Sequence, residues 1–115
     1  MSSTSYQFGR RAEEAALEYL LRQPDWTLVQ RNFRGRTGEL DLVGREGPAW
    51  TFIEVKSSLR RPPVEALSWR QQQRIRRAAQ EFLQSQGESH EVDMRFDVIW
   101  LWGEPFQLEH LRDAF

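Results

Sequence analysis

The chain has 115 residues, of which 39% are hydrophobic and 29% charged, as in ordinary soluble globular proteins. It contains no cysteine, which excludes disulfides, thiolate nucleophiles and cysteine-bound zinc. The net charge of −1 hides a positive middle segment, because residues 30–77 carry ten arginines and one lysine against five acids.

This positive segment favours a polyanionic partner such as nucleic acid, and a solvated face crossed by salt bridges is the alternative explanation. We predict a single domain over residues 1–115, with residues 1–5 flexible. The N-terminus lacks the apolar stretch of a signal peptide, and no apolar run is long enough to span a membrane. We therefore expect a cytoplasmic location and no membrane partner.

The first half of the chain is predicted to form a helix and three strands. Apolar residues at helical spacing predict a helix over residues 6–23. Alternating residues then predict three strands, separated by turns at residues 32–38 and 46–48: Trp26–Arg31, Glu39–Arg45 and Trp50–Ser57. The shorter turn joins the last two strands in a hairpin.

The second half is predicted to form a helix and two further strands. The helix begins at Val64 or Ser68 and ends at Gln86. A long strand over Val92–Trp102 follows, and then a weak one over Phe106–Glu109. The order αβββαβ, with the weak strand added at its end, predicts an α/β fold with a mixed central sheet flanked by helices.

The only lysine of the chain, Lys56, follows Glu54 on the third predicted strand. Alternate residues of a strand share a face, so Glu54 and Lys56 are neighbours. In a suitable register, Asp41 faces them across the hairpin. Leu40 and Leu42 are expected to share the opposite face of their strand.

These residues supply the groups that metal-assisted phosphodiester hydrolysis needs. Asp41 and Glu54, with the backbone carbonyl of Val55, offer oxygen ligands for Mg²⁺ or Mn²⁺. Lys56 can position or deprotonate an attacking water, which arginine cannot do. A hairpin face crossed by salt bridges is the alternative explanation of the same pattern.

The first helix offers one further carboxylate. Glu13 lies at helical spacing from Ala16, Leu17 and Leu20, so it leans towards the sheet, whereas Glu14 belongs to the solvated face. If a third carboxylate reaches the site, it is Glu13. The alternative is a helix-start glutamate that is stabilised by the helix dipole.

Short motifs along nearly the whole chain resemble, in the same order, those of the YraN family of small bacterial proteins: Gly9-x-x-x-Glu13-x-x-Ala16, Arg31-Asn32, Gly38-Glu39-Leu40-Asp41-Leu42, Phe52-Ile53-Glu54-Val55-Lys56, Arg95-Phe96-Asp97-Val98 and Asp113-Ala114-Phe115. That family is similar in turn to the PD-(D/E)xK nuclease superfamily, especially archaeal Holliday-junction resolvases. The resemblance implies a restriction-endonuclease-like core, divalent-metal dependence and, by analogy with resolvases, a homodimer. It also implies an active-site set: Glu13, Asp41, Glu54 and Lys56.

Together these features predict a metal-dependent endonuclease that hydrolyses phosphodiester bonds of structured or branched DNA in repair or recombination, with DNA favoured over RNA. The first alternative is a non-catalytic nucleic-acid-binding module with a nuclease-like fold. The second is a structural protein whose carboxylates form salt bridges.

Other residues are candidates for supporting roles. Several arginines are predicted to bind phosphates, a solubilising face being the alternative: Arg34, Arg36, Arg60, Arg61, Arg70 and Arg74. Glu39 and Gln72 are predicted to support the site. Trp50 and Phe52 either stack on a base or, more commonly for such residues, pack in the core. Arg95 and Asp97 are predicted to form a structural ion pair, and His90 and His110 to be ordinary loop or edge residues.

Overall fold

The computed structural model describes residues 5–59, 67–89 and 91–115. Its elements, in chain order, are α1 (Ser5–Leu21), β1 (Trp26–Arg34), β2 (Glu39–Glu46), β3 (Ala49–Ser58), α2 (Trp69–Ser85), β4 (Met94–Trp102) and β5 (Gln107–Leu111). This order confirms the predicted α/β fold. Within the described ranges, no helix is long and apolar enough to cross a membrane.

The strands form one mixed sheet in the order β1-β2-β3-β4-β5. β3 and β4 are parallel, and the other neighbouring pairs are antiparallel. A parallel pair needs a long crossover connection, and α2 lies in the connection between β3 and β4. The predicted hairpin of β2 and β3 is confirmed.

The two helices cover opposite faces of the sheet. Buried residues of α1 pack with one set of strand residues: Ala12, Ala16, Leu17 and Leu20 against Leu42, Ile53, Ile99 and Leu101. Buried residues of α2 pack with another set: Ile75, Ala78, Ala79, Phe82 and Leu83 against Leu40, Val43, Trp50, Phe52 and Phe96. The fold is therefore a sheet between two helices, compatible with a restriction-endonuclease-like core.

Several predicted boundaries were wrong. α1 begins at Ser5, inside the segment predicted to be flexible, and ends at Leu21. β1 continues to Arg34 through the first three residues of the predicted turn, which shrinks to residues 35–38. The start of α2 is fixed by a capping box, because Ser68 Oγ accepts from the Gln71 amide and Gln71 Oε1 accepts from the Ser68 amide. α2 therefore starts at Trp69, and the alternative start, Val64, lies outside the described residues.

The expectation that Leu40 and Leu42 share a face was also wrong. Leu40 packs beneath α2 and Leu42 beneath α1. Their partners on β1, Phe33 and Arg31, also lie on opposite faces, because Phe33 packs beneath α2 while Arg31 pairs with Glu14 of α1.

The residue of β1 between these partners, Asn32, has a φ of 52°. This left-handed conformation interrupts the alternation of a regular strand. Both strands therefore exchange faces at Asn32 and at Asp41, the residue between Leu40 and Leu42.

Candidate active site

The site begins where the ladder between β2 and β3 ends. Backbone pairing of these strands extends to Leu42 and Ile53. One residue further on, the side chain of Asp41 replaces the backbone, because Val55 donates its N–H to Asp41 Oδ2 across 2.8 Å. Asp41 is thereby held in the fork between the two strands, and it is half-buried there.

Glu54 lies beside Asp41 in this fork. Its Oε1 atom is buried and accepts no hydrogen bond in the described structure. Burial and the neighbouring Asp41 carboxylate raise the pKa of Glu54 to about 10, while Lys56 acts in the opposite direction. Each of two neighbouring carboxylates disfavours the ionised form of the other, and a bound cation would remove this cost.

Glu13 approaches the fork from α1. It is half-buried, as its spacing predicted, whereas Glu14 is exposed and pairs with Arg31. Burial, and then the charge of Asp41, raise the pKa of Glu13. Glu13, Asp41 and Val55 line one cavity of about 300 Å³ on the α1 face.

Glu54 and Lys56 line a second cleft, on the α2 face, of about 170 Å³. The first turns of α2 form its other wall through Gln71 and Arg74. Glu39 lines both this cleft and the cavity of the α1 face, so it lies beside the fork from either side. The candidate site is therefore open to both faces of the sheet.

The predicted phosphate-binding arginines divide into three groups. Arg34 and Arg36 line a wide cavity of about 680 Å³, and the carboxylate of Glu81 accepts from the Arg36 backbone N–H across 2.8 Å. Arg70 and Arg74 are exposed on α2, and Arg74 reaches the Glu54 cleft. Arg60 and Arg61 lie outside the described residues.

Gln72 has a structural contact as well as a place beside Lys56. Its amide donates to the carbonyl of Leu67 across 3.0 Å, which fixes the entry to α2. It also lines a further cavity that includes Lys56.

Tyr6 and Arg10 of α1 are residues beside the site that were not predicted from the sequence. Tyr6 is 71% exposed, and the Arg10 guanidinium lies 5.9 Å from the centre of its ring. Both residues line the cavities that contain Glu13. Arg10 follows Tyr6 by four residues and Glu13 follows it by seven. Residues at this spacing share a helix face, so the sequence did contain a signal for both.

His110 is not the ordinary edge residue that was predicted. Its ring is buried, with Nε2 lying 2.8 Å from Asp97 Oδ2 and Nδ1 lying 3.0 Å from the Tyr19 hydroxyl. A carboxylate only accepts, so Nε2 donates to Asp97, and in the neutral ring Nδ1 then accepts from the Tyr19 hydroxyl. His90 lies outside the described residues.

Asp97, the centre of this network, is fully buried. The predicted ion pair with Arg95 is confirmed, because Arg95 donates to both carboxylate oxygens at 2.8 and 2.9 Å. Burial alone would raise the pKa of Asp97, but the hydrogen bonds from His110, Arg95 and the Asp113 amide outweigh it and lower the pKa to about 2. The network stabilises the packing of β4, β5 and α1.

Trp50 and Phe52 pack in the core, the commoner of the two predicted fates. Trp50 is 4% exposed and Phe52 is fully buried. Both rings pack against Phe82 of α2, with centroid distances of 5.4 and 6.2 Å. They are therefore closed to a base.

In the part of the chain that the structure describes, no three His, Asp or Glu side chains form a group that could hold a metal ion. The pair of Asp41 and Glu54 nevertheless fits a hard divalent cation, because Glu54 Oε1 is buried without a partner and two carboxylates share the fork. Mg²⁺ commonly uses only one or two protein carboxylates, its other ligands being waters and substrate phosphates.

The structure defines an α/β protein with an acidic pair held in a strand fork beside a lysine, on a mixed sheet between two helices. The chain belongs to the family described as Uncharacterised protein family UPF0102, the YraN family, whose sequence model matches residues 12–101. The predicted family is thereby confirmed.

Relatives in this family match nearly end to end. A UPF0102 protein of Desulforapulum autotrophicum is 38% identical over 120 residues, covering 100% of this chain and 98% of its own length. One from Rhodococcus jostii is 40% identical, covering 93% and 94%. One from Shewanella amazonensis is 42% identical, covering 93% and 97%.

Proposed function

We propose that this protein is a divalent-metal-dependent endonuclease that hydrolyses phosphodiester bonds of structured or branched DNA in repair or recombination, acting in the cytoplasm. The observation that carries the proposal is the pair of Asp41 and Glu54 in the fork, with Lys56 in the same cleft as Glu54. Burying two carboxylates together is costly, so a protein keeps such a pair where a cation or a reaction needs it.

Asp41, Glu54 and the carbonyl of Val55 would hold Mg²⁺ or Mn²⁺. Neutralisation of charge at the scissile phosphate and at the leaving oxygen is the chemistry that such an ion supplies. The Val55 amide keeps Asp41 oriented in the fork, through the 2.8 Å hydrogen bond. Glu54 has its buried Oε1 atom free to act as a ligand.

Lys56 is the residue that handles the attacking water in this proposal. It lies two residues after Glu54 and lines the same cleft, half-buried. Its ammonium can hold a water by hydrogen bonding, and its amine form can accept the proton of that water. The other fifteen basic residues are arginines, which stay protonated and cannot take that role.

Glu13 supports the site from the α1 face. It shares a cavity with Asp41, and the negative charge of Asp41 favours its protonated form. In that form it can donate a hydrogen bond to a water or to a phosphate oxygen beside Asp41. Arg10, on the same helix face, would bind a neighbouring phosphate.

The arginines supply affinity that does not depend on base sequence. Arg34 ends β1, Arg36 lies in the turn that precedes β2, and Arg74 lies at the Glu54 cleft. Contacts of this kind fix a nucleic-acid backbone in place and weaken with salt. A four-way junction needs two cuts, so we further propose that the protein acts as a homodimer.

A non-catalytic nucleic-acid-binding module is the second candidate. The arginines beside the site favour it, because phosphate contacts of this kind do not require hydrolysis. It predicts the same salt-sensitive binding of DNA but no hydrolysis under any metal condition.

Cleavage of labelled single-stranded, duplex, flap and four-way-junction DNA in Mg²⁺ and then in Mn²⁺ tests the proposal. We expect metal-dependent cutting of branched DNA by the wild-type protein, and its loss in Lys56→Ala and Lys56→Arg. Because Lys56→Arg keeps the positive charge, its failure would assign the proton-handling role to the amine. Binding without cutting in the wild type would instead select the second candidate.

A further inference from the structure

Lys56 lines a second cavity besides the Glu54 cleft. This cavity has a volume of about 90 Å³ and shares Lys56 and Leu67 with the cleft, so the two adjoin. Its remaining walls are mainly apolar, and Trp100 of β4 and Phe115 at the end of the chain are the largest of them. An apolar pocket thus opens directly beside the most polar site of the molecule.

The walls of this pocket are held in place by the fold. The Phe115 ring stacks on Phe96 with a centroid distance of 5.2 Å, and the Arg76 guanidinium lies 5.5 Å from the Phe115 ring. The Ala114 amide donates to the carbonyl of Phe96 across 2.7 Å. The pocket is therefore built before any ligand arrives.

The chemistry of the walls selects among the parts of a DNA strand. Phosphate and sugar are polar and would not gain by entering between Trp100 and Phe115. A base has an apolar face that stacks on aromatic rings, and polar edges that Lys56 and Gln72 can meet at the rim. A cavity of about 90 Å³ is too small for a base pair.

We propose that this pocket, the base pocket, receives one unstacked nucleobase next to the scissile phosphate and so favours branched or unpaired DNA over intact duplex. In a duplex both faces of each base are covered by its neighbours, so entry requires a base that is already unpaired or costs unstacking. The inference rests on the proposed function, because it takes the Glu54 cleft to be where the phosphate binds.

The test uses binding rather than cleavage, measured by fluorescence anisotropy in EDTA. The probes are a perfect duplex, the same duplex with one unpaired thymidine, and the same duplex with an abasic nucleotide at that position. Trp100→Ala is compared with Trp102→Ala, which removes a half-buried tryptophan of the same strand that does not line the base pocket. Trp100→Phe keeps an aromatic wall, and circular dichroism checks that each variant folds.

We expect Trp100→Ala to weaken binding of the unpaired-thymidine duplex about tenfold, the size of a lost base–aromatic stack, without changing perfect-duplex binding. Trp102→Ala should leave both affinities unchanged and Trp100→Phe should restore most of the loss. Wild-type protein should bind the abasic probe more weakly than the thymidine probe by a similar factor. Trp100→Ala should not weaken binding of the abasic probe further, because the missing base and the missing ring remove the same contact.

Two results would overturn the base pocket. One is equal weakening of all probes by Trp100→Ala, and the other is an abasic probe that wild-type protein binds as tightly as the thymidine probe. These outcomes are separable from those of the proposed function. Metal-dependent cutting without an abasic effect supports the nuclease and rules out the base pocket. An abasic effect without cutting supports the base pocket as a DNA-binding feature and rules out the nuclease.

Discussion

Asn32 of β1 and Asp41 of β2 both lie between the paired residues Arg31–Leu42 and Phe33–Leu40. Asn32 has a left-handed backbone, and at this point both strands exchange their faces. Asp41 then turns its carboxylate to the Val55 amide of β3 instead of following the regular alternation. The candidate site is therefore formed at an irregularity of the sheet.

The first prediction concerns that irregularity. Asn32→Gly keeps the left-handed backbone without strain, whereas Asn32→Val places a β-branched residue in a conformation that costs about 1–2 kcal/mol. We expect Asn32→Val to lower both the free energy of unfolding and the cleavage rate, and Asn32→Gly to keep most of both. Urea unfolding and junction cleavage measure the two effects, and equal behaviour of the two variants would contradict the role of the backbone.

The second prediction concerns Glu54. Burial and Asp41 raise the pKa of Glu54 from an ordinary 4.5 to about 10. Between these two values the folded protein keeps the proton on Glu54, whereas the unfolded chain releases it. The free energy of unfolding should therefore fall as pH rises from about 4.5 towards 10.

Glu54→Gln keeps the neutral shape and removes this titration. We expect it to raise the free energy of unfolding at pH 8 by several kcal/mol, because the wild-type unfolded chain gains about 1.4 kcal/mol per pH unit by releasing the Glu54 proton. The dependence on pH should become flatter. Saturating Mg²⁺ should reduce the difference, since a cation stabilises the wild-type carboxylate. Glu109→Gln, at an exposed glutamate of β5, is the control and should change neither quantity.

The third prediction concerns phosphate contacts. Replacing Arg34 and Arg36 together by alanine should weaken DNA binding equally for all base sequences. It should also reduce the slope of log affinity against log salt by about 1–2, because each phosphate contact contributes about 0.9. Arg22→Ala, an exposed arginine that follows α1, should leave the slope unchanged. An unchanged slope in the double variant would place the DNA elsewhere.

The fourth prediction concerns the buried network of Asp97. Hydrogen bonds outweigh burial there and lower the pKa of Asp97 to about 2, below its ordinary 3.8. Its contribution to stability is complete above about pH 4 and is lost as pH falls towards 2.

Asp97→Asn removes the buried negative charge and one of the two acceptor oxygens that Arg95 and His110 share. It should cost about 3–5 kcal/mol of unfolding free energy at pH 7. The steep loss of stability below pH 4 should become shallower in this variant. Asp93→Asn, at an exposed aspartate just before β4, should match wild type in thermal unfolding from pH 2 to 7. A loss of less than 1 kcal/mol in Asp97→Asn would show that the network is not a main source of stability.

Local periodicity was informative wherever an element is regular. β3 alternates without interruption, so Glu54 and Lys56 were correctly expected on one face, and the helical spacing of α1 placed Glu13 towards the sheet. Their catalytic roles stay predictions. Periodicity failed at Leu40 and Leu42, because the left-handed Asn32 belongs to a different strand and its conformation leaves no pattern in β2.

Long-range pairing was equally hidden from the sequence. His110 was misjudged because its partners, Asp97 and Tyr19, lie 13 and 91 residues away along the chain. The base pocket was missed for the same reason, since it joins Lys56 of β3 to Trp100 of β4 and to the end of the chain. Such contacts arise only once the sheet order is known.

The proposal that Asp41 belongs to a nuclease active site can be tested by single-turnover cleavage of a labelled four-way junction. Wild type, Asp41→Asn and Asp25→Asn are compared with Mg²⁺ and with EDTA. Asp25 is an exposed aspartate in the turn after α1 and serves as the matched control. We expect wild type and Asp25→Asn to cut in Mg²⁺ and not in EDTA. Asp41→Asn should not cut in either condition, although it should still bind DNA. Cutting by Asp41→Asn at the wild-type rate, or no cutting by wild type in any metal, would contradict the proposal.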